Sequence, residues 1–119
     1  MDLWGFEKIG VWRKVIADPN GKRQLSRELP AVLIIFTVGE ELKRKALPFV
    51  DLELERIDWE GVLDNDYGGG HSAAIKWSQA VWGDSAPEGA DLFSRAFAMD
   101  DRLRRAVLKA LAVRWALAE

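Results

Sequence analysis

The sequence predicts a mostly α-helical protein, folded as a single compact bundle of about five helices over residues 1–119. Apolar residues recur at helical spacing in several segments, and turn-forming groups rich in proline and glycine separate those segments. With 49% hydrophobic residues, the chain can bury a core without a disulfide or a metal. An α+β fold with short strands near residues 31–38 and 50–54 is the alternative.

The first predicted helix spans residues 3–17. Gly5 and Gly10 weaken it, because a glycine inside a helix costs about 1 kcal/mol relative to alanine. Residues 18–21 (Asp-Pro-Asn-Gly) then predict a turn. The apolar residues of this helix are Leu3, Phe6, Ile9, Trp12, Val15 and Ile16.

Residues 26–47 favour one long helix, because their apolar residues fall on a single helical stripe. Ser26 is a candidate N-cap, and Pro30 lies close to the first turn, where proline is tolerated. The residues of the stripe are Leu29, Val32, Phe36, Gly39, Leu42 and Ala46.

A buried strand over residues 31–38 is the competing prediction for the same segment. These residues are rich in β-branched side chains, and Pro30 and Gly39 bound them. Residues 37–40 (Thr-Val-Gly-Glu) would then form a capping box that opens a short helix ending at Leu47. Of the two alternatives, we favour the long helix.

In the middle of the chain, the sequence predicts a helix from Asp51 to Leu63, because the apolar residues take helical spacing toward Leu63. A strand at residues 50–54 is the alternative, because the apolar residues alternate at the start of this segment. Residues 64–70 (Asp-Asn-Asp-Tyr-Gly-Gly-Gly) predict a mobile loop, because consecutive glycines lose much entropy in a regular element. We expect this loop to lie next to whatever the protein binds. A helix follows over residues 71–82.

Two aspartates predict the starts of the last two helices, because an aspartate side chain accepts backbone hydrogen bonds at a helix N-cap. Asp91 begins a short helix, and Asp100 begins the last helix, which extends to Ala118. The short helix carries Leu92, Phe93, Ala96 and Phe97. The buried stripe of the last helix is Leu103, Val107, Ala110, Leu111 and Leu117.

Composition excludes several classes of protein. Without cysteine, the chain has no disulfide, no thiolate nucleophile and no cysteine-ligated metal. His71 is the only histidine, and as the neighbour of Ser72 it is poorly placed to activate that serine, which excludes a Ser–His hydrolase. No run approaches the roughly 20 apolar residues of a membrane span, and the N-terminus lacks the basic start of a secretory signal. We therefore expect a cytoplasmic protein without a cofactor.

An alternative function is a carboxylate-based enzyme or a metal-dependent hydrolase built around residues 58–71. Either enzyme predicts a concave pocket that holds at least two of the carboxylates. Asp64, Asp66 and His71 are the candidate metal ligands, although one histidine and two aspartates are few for a divalent ion. The candidate acid–base carboxylates are Asp58, Glu60, Asp64 and Asp66.

Charge is unevenly distributed along a chain whose net charge is −2. Residues 51–66, the acidic segment, carry one basic side chain, Arg56, and we expect the segment to be exposed. The last helix is basic, so nucleic-acid binding is a second alternative, although the acidic chain as a whole argues against it. The acids of the segment are Asp51, Glu53, Glu55, Asp58, Glu60, Asp64 and Asp66. The bases of the last helix are Arg102, Arg104, Arg105, Lys109 and Arg114.

Large aromatic and apolar side chains predict an interface. Of the six tryptophans, Trp59 and Trp82 are the candidates for exposure at a binding surface. Beyond residue 105, the last helix is apolar around nearly its whole circumference, so it must be covered on more than one side. We expect a two-fold homodimer with Leu108 and Trp115 in its interface.

The second half of the chain, from Ile57-Asp58-Trp59 to the last helix, carries the pattern Asp-Trp…Trp-Ser…Asp-Leu…Met-Asp-Asp…Ala-Leu. In this it resembles the small, uncharacterised helical proteins of bacterial mobile elements such as prophages and integron cassettes. The resemblance implies a bacterial accessory protein that acts through an interface, and it transfers no active site. Together with the composition, it favours a non-enzymatic interaction module, whose partner is a second copy or another protein.

Overall fold

The computed structural model describes residues 27–83, 85, 87 and 91–115, and their fold is mostly α-helical, as predicted. These residues form six α-helices, one 3₁₀ helix and one two-stranded sheet. The helix predicted at residues 3–17, the turn at residues 18–21 and the proposed cap Ser26 lie outside the described residues.

Helix α1 (Glu28–Phe36) is the centre of the core. Every residue from 29 to 36 is buried, as expected for a helix that is apolar on all sides. Pro30 lies in the first turn, where its missing N–H costs little. Helix α1 packs against α4 (Gly69–Gly83) and α6 (Asp101–Arg114).

The single helix predicted over residues 26–47 is wrong, and so is the alternative strand over residues 31–38. The chain instead forms α1 and then a separate helix, α2 (Glu40–Ala46). The break between them allows α1 to remain in the core while the charged side chains of α2 reach water, since an uninterrupted helix would bury or expose both together.

The capping box predicted at residues 37–40 is also wrong, although the short helix that it would open is present. The hydroxyl of Thr37 donates to the carbonyl oxygen of Leu33 at 2.6 Å, at the end of α1, and therefore caps no helix start. Gly39 is the N-cap of α2 in an extended conformation, without a side-chain hydrogen bond.

A short β-hairpin occupies the segment where the sequence predicts a helix from Asp51. After the 3₁₀ helix (Leu47–Phe49), strand β1 (Val50–Asp51) pairs antiparallel with β2 (Arg56–Ile57). The carboxylate of Asp51 accepts hydrogen bonds from the N–H groups of Glu53 and Leu54, each at 3.0 Å, and so stabilises the turn. The rival strand at residues 50–54 is right for its first two residues.

Helix α3 (Trp59–Leu63) follows the hairpin. Asp58 is its N-cap, and the carboxylate accepts the N–H of Gly61 at 3.2 Å. Gly61 is in close contact with the ring of Phe49, which occupies the space that a Cβ would need. This contact holds α3 against the 3₁₀ helix.

The two remaining helices begin where the sequence predicts. Asp91 caps α5 (Leu92–Ala96), accepting the N–H of Ser94 at 3.2 Å, and Asp100 caps α6, accepting the N–H of Leu103 at 2.9 Å. Helix α6 ends at Arg114, and residues 116–119 lie outside the described residues. None of the described helices is long and apolar enough to cross a lipid bilayer.

Candidate functional site

Four large apolar side chains are exposed on the two consecutive helices α5 and α6 and at their ends. Phe93 is 79% exposed and Phe97 is 85% exposed, one helical turn apart. On α6, Leu108 is 67% exposed and Trp115 is 57% exposed, two turns apart on one side of the helix. These four residues are called the α5–α6 surface below.

One hydrogen bond connects the two helices of this surface. Arg104 lies one turn before Leu108, and its Nε donates to the carbonyl oxygen of Ala96 at 3.1 Å. Ala96 directly precedes Phe97. The Leu108 side of α6 therefore begins beside the end of α5.

The exposure of Leu108 and Trp115 follows from the two apolar sides of α6. The inward side is formed by Leu103, Ala106, Val107 and Ala110, all of which are buried. Leu108 and Trp115 lie on another side of the same helix and face solvent, as the apolar circumference of this helix allows.

Trp59 and Trp82, the two aromatic residues that the sequence favours for an interface, are partly buried in an aromatic cluster. The rings of Phe36 and Trp59 meet edge to face, with centroids 5.8 Å apart. Trp59 and Trp82 meet in the same way, at 6.3 Å. Trp59 thus packs against the end of α1, Trp82 packs against Trp59, and both extend the core toward the surface.

The two phenylalanines of α5 are the part of the surface that sequence reasoning does not identify. Phe93 packs edge to face against the buried ring of Trp77, with centroids 5.8 Å apart. The indole Nε1 of Trp77 is buried and has no hydrogen-bond partner in the part of the chain that the structure describes. The sequence holds a signal for this exposure: on so short a helix, Leu92 and Ala96 form one stripe and the phenylalanines another, and both stripes cannot be buried together.

Two of the five basic side chains of α6 donate hydrogen bonds to backbone carbonyl groups, and a third lies beside the backbone at the start of α2. Arg104 donates to Ala96 as described, and the Nε of Arg114 donates to the carbonyl oxygen of Val81 at 2.9 Å. The guanidinium group of Arg102 lies over Gly39. Arg105 and Lys109 are exposed and form no ion pair with any other described residue.

The acidic segment is largely exposed. Of its seven acids, all except Glu55 are exposed, and these six form no ion pair among the described residues. The carboxylate of Asp58 caps α3, and that of Asp51 supports the hairpin turn. Of the four candidate acid–base residues, Asp58 lines a groove beside the hairpin, Asp66 lines another beside α4, and Glu60 and Asp64 line neither of these grooves.

The structure does not assemble the candidate metal ligands Asp64, Asp66 and His71. Among the described residues, no group of three histidine, aspartate or glutamate side chains is placed to hold a metal ion. The Nδ1 of His71 instead lies 2.7 Å from the Oε2 of Glu41, a residue of α2. This hydrogen bond is the largest cause that lowers the pKa of Glu41, and the charge of Lys45 lowers it further.

The loop predicted at residues 64–70 is shorter than expected, because α4 begins at Gly69. Its conformation is held by side chains. The Nδ2 of Asn65 donates to the carbonyl oxygens of Lys45 and Gly61, at 3.0 and 3.2 Å. The hydroxyl of Tyr67 donates to the carbonyl oxygen of Val62 at 2.7 Å. The chain between α3 and α4 is therefore anchored at two points.

Lys45 adds a third anchor to this loop. Its Nζ donates to the carbonyl oxygen of Asp66 at 2.5 Å and lies 5.6 Å from the centre of the Tyr67 ring. Burial is the largest effect on the Tyr67 hydroxyl and raises its pKa. A groove of 340 Å³ separates this loop from α4.

Comparison with known proteins found no matching family, no matching curated relative and no matching solved structure.

Proposed function

We propose that this protein is a non-enzymatic interaction module that binds a second copy of itself through the α5–α6 surface. The observation that carries this proposal is the exposure of Phe93, Phe97, Leu108 and Trp115. Removing apolar surface from water contributes about 25 cal/mol per Å², so covering these four side chains favours association. A two-fold homodimer brings the same surface of both chains together and covers it on each.

Charge supports a second copy as the occupant of this surface. Helix α6 exposes Arg105 and Lys109, whereas the acidic segment exposes six carboxylates that form no ion pair among the described residues. In a two-fold dimer, each contact between a basic side chain of α6 in one copy and a carboxylate of the other copy forms twice. The chain thus carries both the apolar surface and the opposite charges that its own copy needs.

The proposal is tested by sedimentation equilibrium at tens of micromolar protein. We expect the mass of a dimer. Leu108→Gln should raise the dimer dissociation constant by about 30-fold or more, since loss of a central interface side chain costs about 2 kcal/mol. Higher salt should also weaken the dimer, because ions screen the attraction between opposite charges of the two copies.

Leu54→Gln is the matched control. Leu54 is 60% exposed, close to the 67% of Leu108, but it lies on the hairpin turn and is not part of the α5–α6 surface. The same substitution there removes no charge, so it should change the dissociation constant far less than Leu108→Gln. A monomer mass for the unaltered chain would overturn the proposal, and so would equal effects of the two substitutions.

A further inference from the structure

The groove between the residue 64–68 loop and α4 has the features of a small-ligand site. Its volume is 340 Å³, and small-molecule pockets in proteins range from about 300 to about 1,000 Å³. None of the four residues of the α5–α6 surface lines it. The anchored loop forms one wall, so the groove is already shaped before anything enters it, and binding need not order the chain.

Three polar side chains line this groove without a partner of their own. Ser72 and Lys76 are partly buried on α4, four residues apart and hence on the same side of the helix. Asp66 lies on the loop. Within the described chain, the Ser72 hydroxyl makes no hydrogen bond, and Asp66 and Lys76 pair neither with each other nor with another side chain.

Apart from Asn65, whose amide donates to backbone carbonyl groups, the remaining lining is largely apolar. Leu63 is 42% exposed at the end of α3, and the ring of Tyr67 and the side chain of Ile75 complete the wall. A ligand that fits must therefore offer an apolar group together with one group of each charge. A molecule with a single charge would use only one of Asp66 and Lys76, so a zwitterion gains more charge-assisted hydrogen bonds.

We propose that this groove binds a small zwitterion of the α-amino acid class with an apolar side chain. The ammonium group of Lys76 and the hydroxyl of Ser72 hold the carboxylate of the ligand. The carboxylate of Asp66 accepts hydrogen bonds from its ammonium group. The apolar side chain of the ligand lies against Leu63 and Tyr67.

The test uses three probes of one shape. L-Leucine carries both charges, 4-methylpentanoate lacks the ammonium group, and 3-methylbutylamine lacks the carboxylate. Each is titrated into ¹⁵N-labelled protein, and chemical-shift changes are followed by NMR at millimolar probe. We expect L-leucine to shift the amide signals of Asp66, Ser72 and Lys76, with each analogue at least about tenfold weaker, because each loses a charge-assisted hydrogen bond.

Variants separate the groove from nonspecific binding. Lys76→Gln should raise the dissociation constant for L-leucine by about tenfold or more. Lys43→Gln is the control, because Lys43 is also partly buried but lies on α2 and does not line the groove. The proposal fails if no probe shifts the groove residues, if an analogue binds as tightly as L-leucine, or if the two variants behave alike.

The lining of the groove and the α5–α6 surface share no residue, so the titration is repeated on Leu108→Gln. This substitution leaves the lining of the groove intact. L-Leucine should bind the variant as it binds the unaltered chain. If L-leucine binds but the unaltered chain is a monomer, the amino acid site is retained and the proposed self-association is rejected. If the chain dimerises but L-leucine does not bind, only the amino acid site is rejected.

Discussion

Gly70 lies so close to Ala98 that a Cβ at position 70 would be 2.8 Å from the Ala98 carbonyl oxygen and 3.3 Å from Cδ1 of Leu103. The two glycines before it have more space: a Cβ at Gly69 would be 3.9 Å from its nearest neighbour, and one at Gly68 would meet nothing within 4 Å. No described glycine has a φ between +20° and +160°. Small size at Gly70 therefore matters for packing, while left-handed backbone conformations do not explain these glycines.

We expect Gly70→Ala to lower the free energy of unfolding by about 1–3 kcal/mol, because the added methyl group overpacks the contact with Ala98. The matched control, Gly69→Ala, should raise it by up to about 1 kcal/mol, since alanine favours the helix and has room at that position. Urea unfolding followed by circular dichroism measures both. Equal stability of the two variants would contradict the close contact at Gly70.

The hydrogen bond between Glu41 and His71 should make stability depend on pH in the acidic range. The pKa of Glu41 is lowered from its ordinary value of 4.5, first by His71 and then by Lys45. A carboxylate with a lowered folded-state pKa stabilises the protein above its unfolded pKa and loses that contribution as the pH falls through the folded pKa.

Glu41→Gln should therefore reduce stability at neutral pH and make less difference as the pH falls below 4.5. Thermal unfolding across that range provides the measurement. Glu40→Gln is the comparison, because it removes the same charge at the exposed neighbouring position and leaves the contact between Glu41 and His71 intact. If the unaltered chain and Glu41→Gln differ by a constant amount at every pH, the pair with His71 contributes nothing.

The N-cap of α6 should contribute measurably to stability. The carboxylate of Asp100 accepts the N–H of Leu103 at 2.9 Å, so Asp100→Ala should cost about 1 kcal/mol. Asp101→Ala is the comparison, because Asp101 is an acid in the first turn but not the cap. It should cost less, about 0.3–1 kcal/mol, from the helix dipole alone. A larger cost at Asp101 would contradict the assignment of the cap.

The edge-to-face contact between Trp59 and Trp82 should appear as a coupling energy. Their ring centroids are 6.3 Å apart, and such pairs contribute about 0.5–1.5 kcal/mol beyond the area that they bury. A double-mutant cycle of Trp59→Leu and Trp82→Leu, measured by urea unfolding, should give a coupling in that range. Additive effects of the two substitutions would show that the rings pack independently.

The elements that the sequence predicts best are those that depend on neighbours in the chain. Asp91 and Asp100 begin helices because each accepts a backbone hydrogen bond from three residues onward, a contact that needs no other part of the fold. The burial of Leu103, Val107 and Ala110 follows in the same way from their spacing on α6.

The break between α1 and α2 could not be predicted in this way. Apolar spacing continues across residues 37–39, and the interruption reflects the demand that α1 remain inside while α2 meets water. The conformation of the residue 64–68 loop has a similar origin. Lys45 and Asn65, far apart in the chain, join it to α2. The local entropy of three glycines predicts a mobile loop, whereas the conformation that the loop adopts depends on long-range hydrogen bonds.

The sequence by itself determined the mostly helical fold, the two capped C-terminal helices and the exposed acidic segment, because spacing, caps and charge act locally. Only the tertiary structure decided which aromatic side chains enter the core. Trp59 and Trp82 pack beside Phe36, while Phe93 and Phe97 remain exposed. All four are large and apolar, and their burial depends on which helix faces lie together, a property of packing that no single segment contains.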